Sequence, residues 1–323
     1  MSKPSVYITR KLPEDLVESY REVLDIEMWD REEEPVERSH LLKKSRTADA
    51  LLTMLSDKVD NELLDGADRL KMVANLAVGY DNIDVEAATD HGVQVTNTPD
   101  VLTDTTADLV FGLLMATARR LMEAEQFVKE GNWTNWSPLL LAGTDIHHKK
   151  IGIVGMGRIG QSIAKRAKGF DMDVLYHNRS RHREAEEQLG AVYTEFEDLL
   201  ESADYVVCMA PLTEETNGMF RVEQFKKMKK EAIFINGSRG QLVDEKDLYD
   251  ALVEGEIAGA GLDVFEEEPI SADHLLLQLE QVVALPHIGS ATKETRYKMM
   301  ELCLENIKHY FEEGRVQTPV NDI

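Results

Sequence analysis

Cysteine is scarce: Cys208 and Cys303 are the two in a chain of 323 residues. One pair cannot staple a chain this long, and Cys208 lies in the apolar run Tyr205–Ala210 and Cys303 in a helical stretch, so both read as small buried hydrophobes. No long apolar segment follows Met1, so a secretory leader is not expected. The most apolar stretch, Leu109–Ala118, covers about half of what a bilayer span requires. These features predict a cytosolic protein. Basic charge is also in deficit, with 36 Lys and Arg against 60 Asp and Glu, a net charge of −24. A surface of that sign repels phosphate backbones and anionic lipid headgroups, which argues against nucleic-acid and membrane partners. It serves solubility; adaptation to salt is the alternative. Metal motifs are lacking too: His147 and His148 are adjacent, and no H-E-x-x-H or C-x-x-C occurs, so no metal site is expected. Gly237-Ser238-Arg239 is not a hydrolase elbow, because its second glycine comes one residue early. The charged runs Arg31–Glu34 and Lys226–Lys230 read as solvated faces.

What is present is an ordinary globular mix, 43% hydrophobic and 30% charged, with chain enough for two domains. Short β-rich runs alternate with amphipathic stretches, the pattern of parallel sheets covered by helices. A first series of strands is predicted at Val6–Thr9, Ile26–Trp29, Ala50–Met54, Met72–Val78 and Val93–Thr96. Helices are expected between them, for example at Glu14–Leu24 and Asp84–Asp90. A long helix is predicted over Thr103–Glu130; its first half is apolar on every face, so it should be buried all round, between domains or in a subunit interface. A second series is expected at Ile151–Gly155, Val174–His177, Tyr205–Ala210, Ala232–Asn236, Gly259–Val264 and Val282–Leu285. The last predicted helix, Lys293–Glu313, has no strand of its own to cover there and is expected to return to the first domain; Pro319 then ends regular structure. The chain would cross between domains near Thr98–Leu102 and again near His287–Thr292, making a cleft and a hinge.

Gly155-Met-Gly157-Arg158-Ile159-Gly160 is the strongest local signal. It is a G-x-G-x-x-G set directly after an apolar β-run and directly before a helical one. The first glycine permits a tight turn, the second lets backbone approach a pyrophosphate, and the third lets helix and strand pack closely. The phosphates then meet the free N–H groups and the dipole of the helix N-terminus. About 20 residues on, an acid would mark NAD by bonding its ribose 2′-hydroxyl. Here the strand instead runs into Asn178-Arg179-Ser180-Arg181, which has no carboxylate. Two guanidinium groups and a hydroxyl suit the 2′-phosphate of NADP(H). NADP(H) is therefore expected as the preferred cofactor, with NAD(H) also accepted. The fold expected is α/β, two doubly wound parallel-sheet domains. A Rossmann dinucleotide-binding domain over 100–287 would be inserted into a flavodoxin-like substrate-binding domain made of 1–99 and 288–323.

Three later segments each close a strand and carry Arg239, Asp263 with Glu268, and His287. Ligands of doubly wound sheets bind outside the carboxyl ends of strands, so these groups are expected at one crevice.

Through these motifs the sequence resembles the D-isomer-specific 2-hydroxyacid dehydrogenase family along essentially its whole length. The matching segments are Asn75–Asn82, Thr98–Thr103, the glycine fingerprint, Gly237–Gly240, Gly261–Pro269 and Pro286–Thr292. Within the family it looks most like glyoxylate/hydroxypyruvate reductases and bacterial 2-ketogluconate reductases. The resemblance implies a catalytic set of Arg239, Glu268 and His287. It implies a substrate-binding set of Arg239, His287, Leu55, Trp136 and the backbone N–H groups of Val78 and Gly79, with Trp136 reaching over from a second subunit. It extends the cofactor set to Thr106, Pro211, Gly237, Ser238, Asp263, His287 and Gly289, beside the glycine loop and Asn178–Ser180. A homodimer through the Thr103–Glu130 region follows from the same resemblance.

The chemistry agrees. Arg239 can grip the carboxylate of a 2-oxo acid and polarise its carbonyl through a fork of donors. His287 can protonate the ketone oxygen as hydride arrives from the nicotinamide. A carboxylate beside an imidazole favours the charged ring, and Glu268 is placed for that. Asp263 is expected near the nicotinamide or the imidazole. The expected function is NADPH-dependent reduction of glyoxylate, hydroxypyruvate or 2-ketogluconate to a D-2-hydroxy acid. One alternative is a dinucleotide-sensing binding protein of the same fold. Another is a related dehydrogenase: formate enzymes usually carry Gln where Glu268 stands, and 3-phosphoglycerate enzymes carry Arg where this chain has Met54 and many add a regulatory domain, whereas this sequence stops at Ile323.

Overall fold

The computed structural model describes residues 3–323, and the chain forms two compact units. One runs to Leu102 and resumes from Thr292 to Ile323; the other is Thr103–Ala291.

The first unit holds five parallel strands: β1 (Ser5–Ile8), β2 (Asp25–Met28), β3 (Ala50–Thr53), β4 (Met72–Asn75) and β5 (Gln94–Thr96). Their order is β2-β1-β3-β4-β5, the flavodoxin-like doubly wound arrangement. Every residue of β3, β4 and β5 is buried, as a parallel strand covered on both faces demands. The helix expected over Glu14–Leu24 stops at Glu18, and turns carry the chain into β2. The final helix, Lys293–Glu313, packs Met299, Cys303, Leu304 and Ile307 inward in this unit. Thr292 caps its start, accepting from the Thr295 N–H, and Gly314 ends it at φ +68°.

Beyond that helix the chain does not stop organising. It runs back along the outer edge of β5, where the Val320 N–H donates to Val95 O and the Val95 N–H donates to Asn321 Oδ1 at 2.7 Å. Pro319 lies in this edge contact, bridged antiparallel to Thr96. Asn306, fully buried on the helix, holds the segment: its Oδ1 accepts from the N–H groups of Gln317 and Thr318, and its Nδ2 donates to Thr318 Oγ1. An otherwise open sheet edge is thereby covered.

The second unit holds seven parallel strands: β6 (Lys150–Val154), β7 (Asp173–His177), β8 (Val192–Tyr193), β9 (Tyr205–Cys208), β10 (Ile233–Asn236), β11 (Gly259–Leu262) and β12 (Val282–Ala284). Their order is β12-β11-β10-β9-β6-β7-β8. Winding reverses between β6 and β9, which places the topological switch point at their carboxyl ends. Alternate residues build two apolar layers. Tyr205, Val207, Ile233 and Ile235 face one, and Val206, Cys208, Phe234 and Leu262 the other. Burial pushes the Cys208 thiol up to about 12, which makes it inert packing. Strand β8, two residues at the sheet edge, is too short to show in the sequence.

The single helix expected over Thr103–Glu130 is two, Thr103–Ala118 and Leu121–Lys129, broken where Arg120 adopts φ +53°. The cause is tertiary: the Thr144 N–H takes the Ala118 carbonyl at 2.8 Å, so the ladder cannot continue. Nor is the first helix buried all round within the chain. Ala107, Val110, Leu113 and Leu114 are covered, while Leu109 and Met115 are half-buried and Gly112 is exposed. None of the helices of the described residues is long and apolar enough to cross a membrane.

Asn306→Ala should leave the N–H groups of Gln317 and Thr318 without their acceptor and free the β5 edge. A loss of about 1–3 kcal/mol, read as a lower urea midpoint at unchanged slope, is expected. An unchanged midpoint would mean the terminal segment contributes nothing to this unit.

Candidate active site

The loop after β6 is built for close approach. Gly155 sits at φ +104°, where a Cβ would lie 2.4 Å from the Met209 carbonyl carbon. Gly157 precedes the helix Arg158–Lys168 as its cap and carries no side chain, and a Cβ there would project into open space. The bare N-terminus of an 11-residue helix therefore faces outward at the switch point, which fits a dinucleotide pyrophosphate. Asn178, directly after β7, turns its Oδ1 onto the Met156 N–H at 2.8 Å and so ties the glycine loop to the next strand.

The ends of β9 to β12 interlock. Asn236 clasps the loop it begins: its Oδ1 accepts from the Ser238 N–H and its Nδ2 donates to Arg239 O. Ser238 Oγ donates to Ala210 O, beside Pro211. Gly240 lies against the next loop so tightly that a Cβ would fall 1.8 Å from the Phe265 carbonyl carbon, so the Arg239 and Glu268 loops touch backbone to backbone. Glu268 Oε1 accepts from the Phe265 N–H at 3.1 Å, and its Oε2 lies 2.7 Å from His287 Nδ1. Burial would raise the Glu268 carboxyl. The hydrogen bond and charge of His287, the Phe265 amide and the Arg239 charge outweigh that and hold it below the usual glutamate range.

His287 has φ +52°, a left-handed conformation rare outside glycine. Buried Asp263 holds it there: the His287 N–H donates to Asp263 O at 2.9 Å, and the Ile288 N–H donates to Asp263 Oδ1 at 2.8 Å. Burial pushes the Asp263 carboxyl up, opposed by the Ile288 amide, the His287 charge and the Gly289 amide. A Cβ on Gly289 would lie 3.3 Å from both Asp263 Oδ2 and Thr106 Cγ2, so Thr106 closes the same cluster.

In the first unit, the candidate loops follow β3 and β4. The carbonyls of Val78 and Gly79 are both engaged, by Asn97 Nδ2 at 2.8 Å and Asn75 Nδ2 at 3.0 Å. Among the described residues no group takes the N–H of either, so the turn offers two donors to an anion. Met54 and Leu55 are half-buried in the turn before Asp57.

The second unit thus brings together Thr106, Gly155–Gly160, Asn178, Pro211, Gly237–Arg239, Asp263, Glu268, His287 and Gly289. Arg181 departs from its expected role. Its guanidinium forks onto Glu186 at 2.6 and 3.0 Å, because the buried Tyr176 hydroxyl draws Glu186 to that spot. Arg179 stays exposed, with Glu215 at 3.8 Å, and Ser180 is exposed beside it. Trp136 is 78% exposed in an irregular segment. The sequence motifs do not announce Asn75, Asn82, Asn178 and Asn236 as loop clasps, although the first three lie inside quoted motifs and Asn236 ends the predicted strand Ala232–Asn236.

Residues 111–289 match the family model described as D-isomer specific 2-hydroxyacid dehydrogenase, NAD binding domain. A glyoxylate reductase of Thermococcus kodakarensis is 53% identical over 94% of this chain and 92% of its own. A Thermus thermophilus protein of known structure superposes with TM-score 0.91 at 41% identity, covering 98% of this chain and 100% of that one. An NADPH-dependent glyoxylate/hydroxypyruvate reductase of Sinorhizobium meliloti, solved with NADP and malonate, gives TM-score 0.86 at 35% identity over 99% of this chain and 97% of its own. The chain belongs to the D-isomer-specific 2-hydroxyacid dehydrogenase family and is an NAD(P)-dependent oxidoreductase of that type.

Proposed function

We propose that the chain reduces small 2-oxo acids, glyoxylate and hydroxypyruvate foremost and 2-ketogluconate as a larger extension, to D-2-hydroxy acids with NADPH. The observation that carries this is the 2.7 Å His287–Glu268 hydrogen bond at strand ends of the same unit as the glycine loop. The substrate class is supported by relatives such as the Thermococcus glyoxylate reductase and the Sinorhizobium glyoxylate/hydroxypyruvate reductase.

With Glu268 ionised, Nδ1 of His287 donates to it, which fixes the ring and leaves Nε2 to give its proton to the ketone oxygen. Reduced nicotinamide, when bound, supplies the hydride to the carbonyl carbon. Arg239 grips the carboxylate and polarises the carbonyl, and the Val78 and Gly79 N–H groups hold the carboxylate as well. Leu55, beside Met54, walls the side-chain end of the substrate. The helix start at Gly157–Gly160 takes the pyrophosphate. Thr106, Asn178–Ser180, Pro211, Gly237, Ser238, Asp263 and Gly289 line the remainder of the cofactor site. A homodimer is proposed through the 103–130 region, with Trp136 of one copy covering the site of the other; Leu121, Met122, Trp133 and Leu139 are also exposed, an apolar surface that a second copy would cover. The unbridged, buried cysteines support a cytosolic protein.

The reading is tested by steady-state rates with NADPH against glyoxylate, hydroxypyruvate, 2-ketogluconate and pyruvate, in wild type and His287→Gln. Wild type should turn over at least glyoxylate and hydroxypyruvate, and the variant should lose about 10²–10⁴ in kcat with the KM for NADPH little changed. No turnover of any 2-oxo acid despite cofactor binding would overturn the reading in favour of a dinucleotide sensor.

Acid should inactivate through Glu268. Its carboxyl titrates below the usual range, so kcat/KM is expected to hold at neutral pH and to fall as pH drops through that depressed value, when protonation removes the acceptor of Nδ1–H. Glu268→Gln should erase that acid limb and lower kcat about tenfold or more. An acid limb unchanged in the variant assigns it to another group.

Cofactor choice should rest on Arg179 and Ser180, because Arg181 is committed to Glu186. Charge-assisted contacts of about 1.5–3 kcal/mol each, discounted for exposure, leave about a tenfold preference for NADPH. Arg179→Ala should raise the KM for NADPH by about that factor and spare NADH, whereas Asn178→Ala should weaken both, because Asn178 holds the glycine loop. Equal wild-type KM values for the two cofactors would remove the NADPH assignment and leave the reductase one standing.

A further inference from the structure

The first unit carries a hydrogen-bonded relay to which no role has been given. Asn82 Nδ2 donates to Met54 O at 3.2 Å and to Asp57 O at 2.9 Å, while its Oδ1 accepts from Asn75 Nδ2 at 3.1 Å. That same Asn75 nitrogen donates to Gly79 O, and Asn75 Oδ1 accepts from Thr53 Oγ1 at 3.1 Å. One side-chain amide therefore touches both ends of the Met54–Asp57 turn and, through Asn75, the Val78–Gly79 turn. The Met54–Asp57 turn is gripped from its far side as well. Buried Asp57 accepts from Thr9 Oγ1 and from the Met54 N–H, and Arg10 donates to Ser56 Oγ at 2.8 Å.

We propose that Asn82 is a positioning residue for substrate selection: it fixes the Leu55 turn relative to the N–H groups of Val78 and Gly79, and so limits the size of 2-oxo acid accepted. This rests on the reading that these two turns hold the substrate. The chemistry requires an amide. Two donors must meet two carbonyls of one turn while an acceptor meets the other asparagine, and neither a carboxylate nor a hydroxyl supplies that set. Leu55 lies between the two carbonyls that Asn82 holds, and the Gly79 carbonyl is held by Asn75, so the distance from the turn's N–H groups to the Leu55 wall is set by this relay and not by loop propensity. A carboxylate anchored at one end and a fixed wall at the other favour a short chain over a long or bulky one.

The backbone around Asn82 has independent ties, with the Val59 N–H on Asn82 O at 3.0 Å and the Asp84 N–H on Val59 O at 2.8 Å. Removing the side chain should loosen the turns without unfolding the unit.

The test compares Asn82→Ala, Asn82→Ser and Leu55→Ala with wild type, using NADPH against glyoxylate, hydroxypyruvate and phenylpyruvate. Asn82→Ala should raise the KM for glyoxylate about tenfold or more, since small misplacements of a substrate-holding group cost that much, with kcat and the KM for NADPH within about threefold. Its preference for glyoxylate over phenylpyruvate should fall about tenfold, and Asn82→Ser, which keeps one donor, should fall between. Should the alanine variant be insoluble, the serine variant carries the same comparison. A parallel loss of kcat for all substrates at unchanged KM would make Asn82 merely structural and overturn the proposal. So would unaltered selectivity in both Asn82 variants when Leu55→Ala shifts preference toward phenylpyruvate. If Leu55→Ala also leaves selectivity unaltered, the reading of these turns as the substrate site fails, and the Asn82 proposal falls with it.

Discussion

Asp263 sits fully buried at the end of β11 and takes two consecutive backbone N–H groups, that of His287 on its carbonyl and that of Ile288 on its carboxylate, and the arrangement of the second unit's site depends on this. Holding a non-glycine residue in the left-handed region costs roughly 1–2 kcal/mol. A hydrogen bond to a charged acceptor returns about 1.5–3 kcal/mol and the neutral one about 1, so the balance favours the strained turn. The strain has a direction, because it brings His287 Nδ1 to Glu268 across a loop that approaches through Gly240. Packing, not charge, makes that approach: no side chain larger than hydrogen fits against Phe265.

Two carboxyls near one imidazole are pushed apart in behaviour by their surroundings. Glu268 is hydrogen-bonded by His287 and near Arg239, and is held below its ordinary range. Asp263 is deeper, and burial drives it the other way. Glu268 is the carboxyl hydrogen-bonded to the imidazole, and Asp263 takes the backbone N–H groups of His287 and Ile288. In a chain of net charge −24, the site is one place where acid and base are balanced locally against the overall surface.

A second theme is asparagine. Asn236, Asn75 and Asn82 each use both ends of a short amide, and Asn178 its Oδ1, to fasten a loop that leaves the carboxyl end of a strand. Parallel sheets end in loops whose backbone has no ladder to join, and a buried amide satisfies those groups while leaving neighbouring N–H groups outward for ligands. The glycines allow close approach, and the asparagines decide where it occurs.

Much of this was legible in the order of residues. Periodicity placed eleven of the strands, since a doubly buried parallel strand is a continuous apolar run, and the glycine fingerprint placed the switch point, since only glycine accepts φ +104° against the Met209 backbone. Arg239, Glu268 and His287 were readable as one set because each follows a strand whose carboxyl end faces the same edge. Other features were settled only by distant parts of the chain. Arg120 breaks a helix that composition would continue, because the Thr144 N–H takes the last carbonyl. Arg181 turns away from Asn178–Ser180 because Tyr176, buried in the sheet, draws Glu186 toward it. The terminal segment becomes an edge cover because Asn306 holds it. Local sequence determines φ, ψ preference and burial pattern, which act within a few residues. The partner of a buried polar group is chosen by which segments the folded chain brings within about 3 Å, and no local rule contains that.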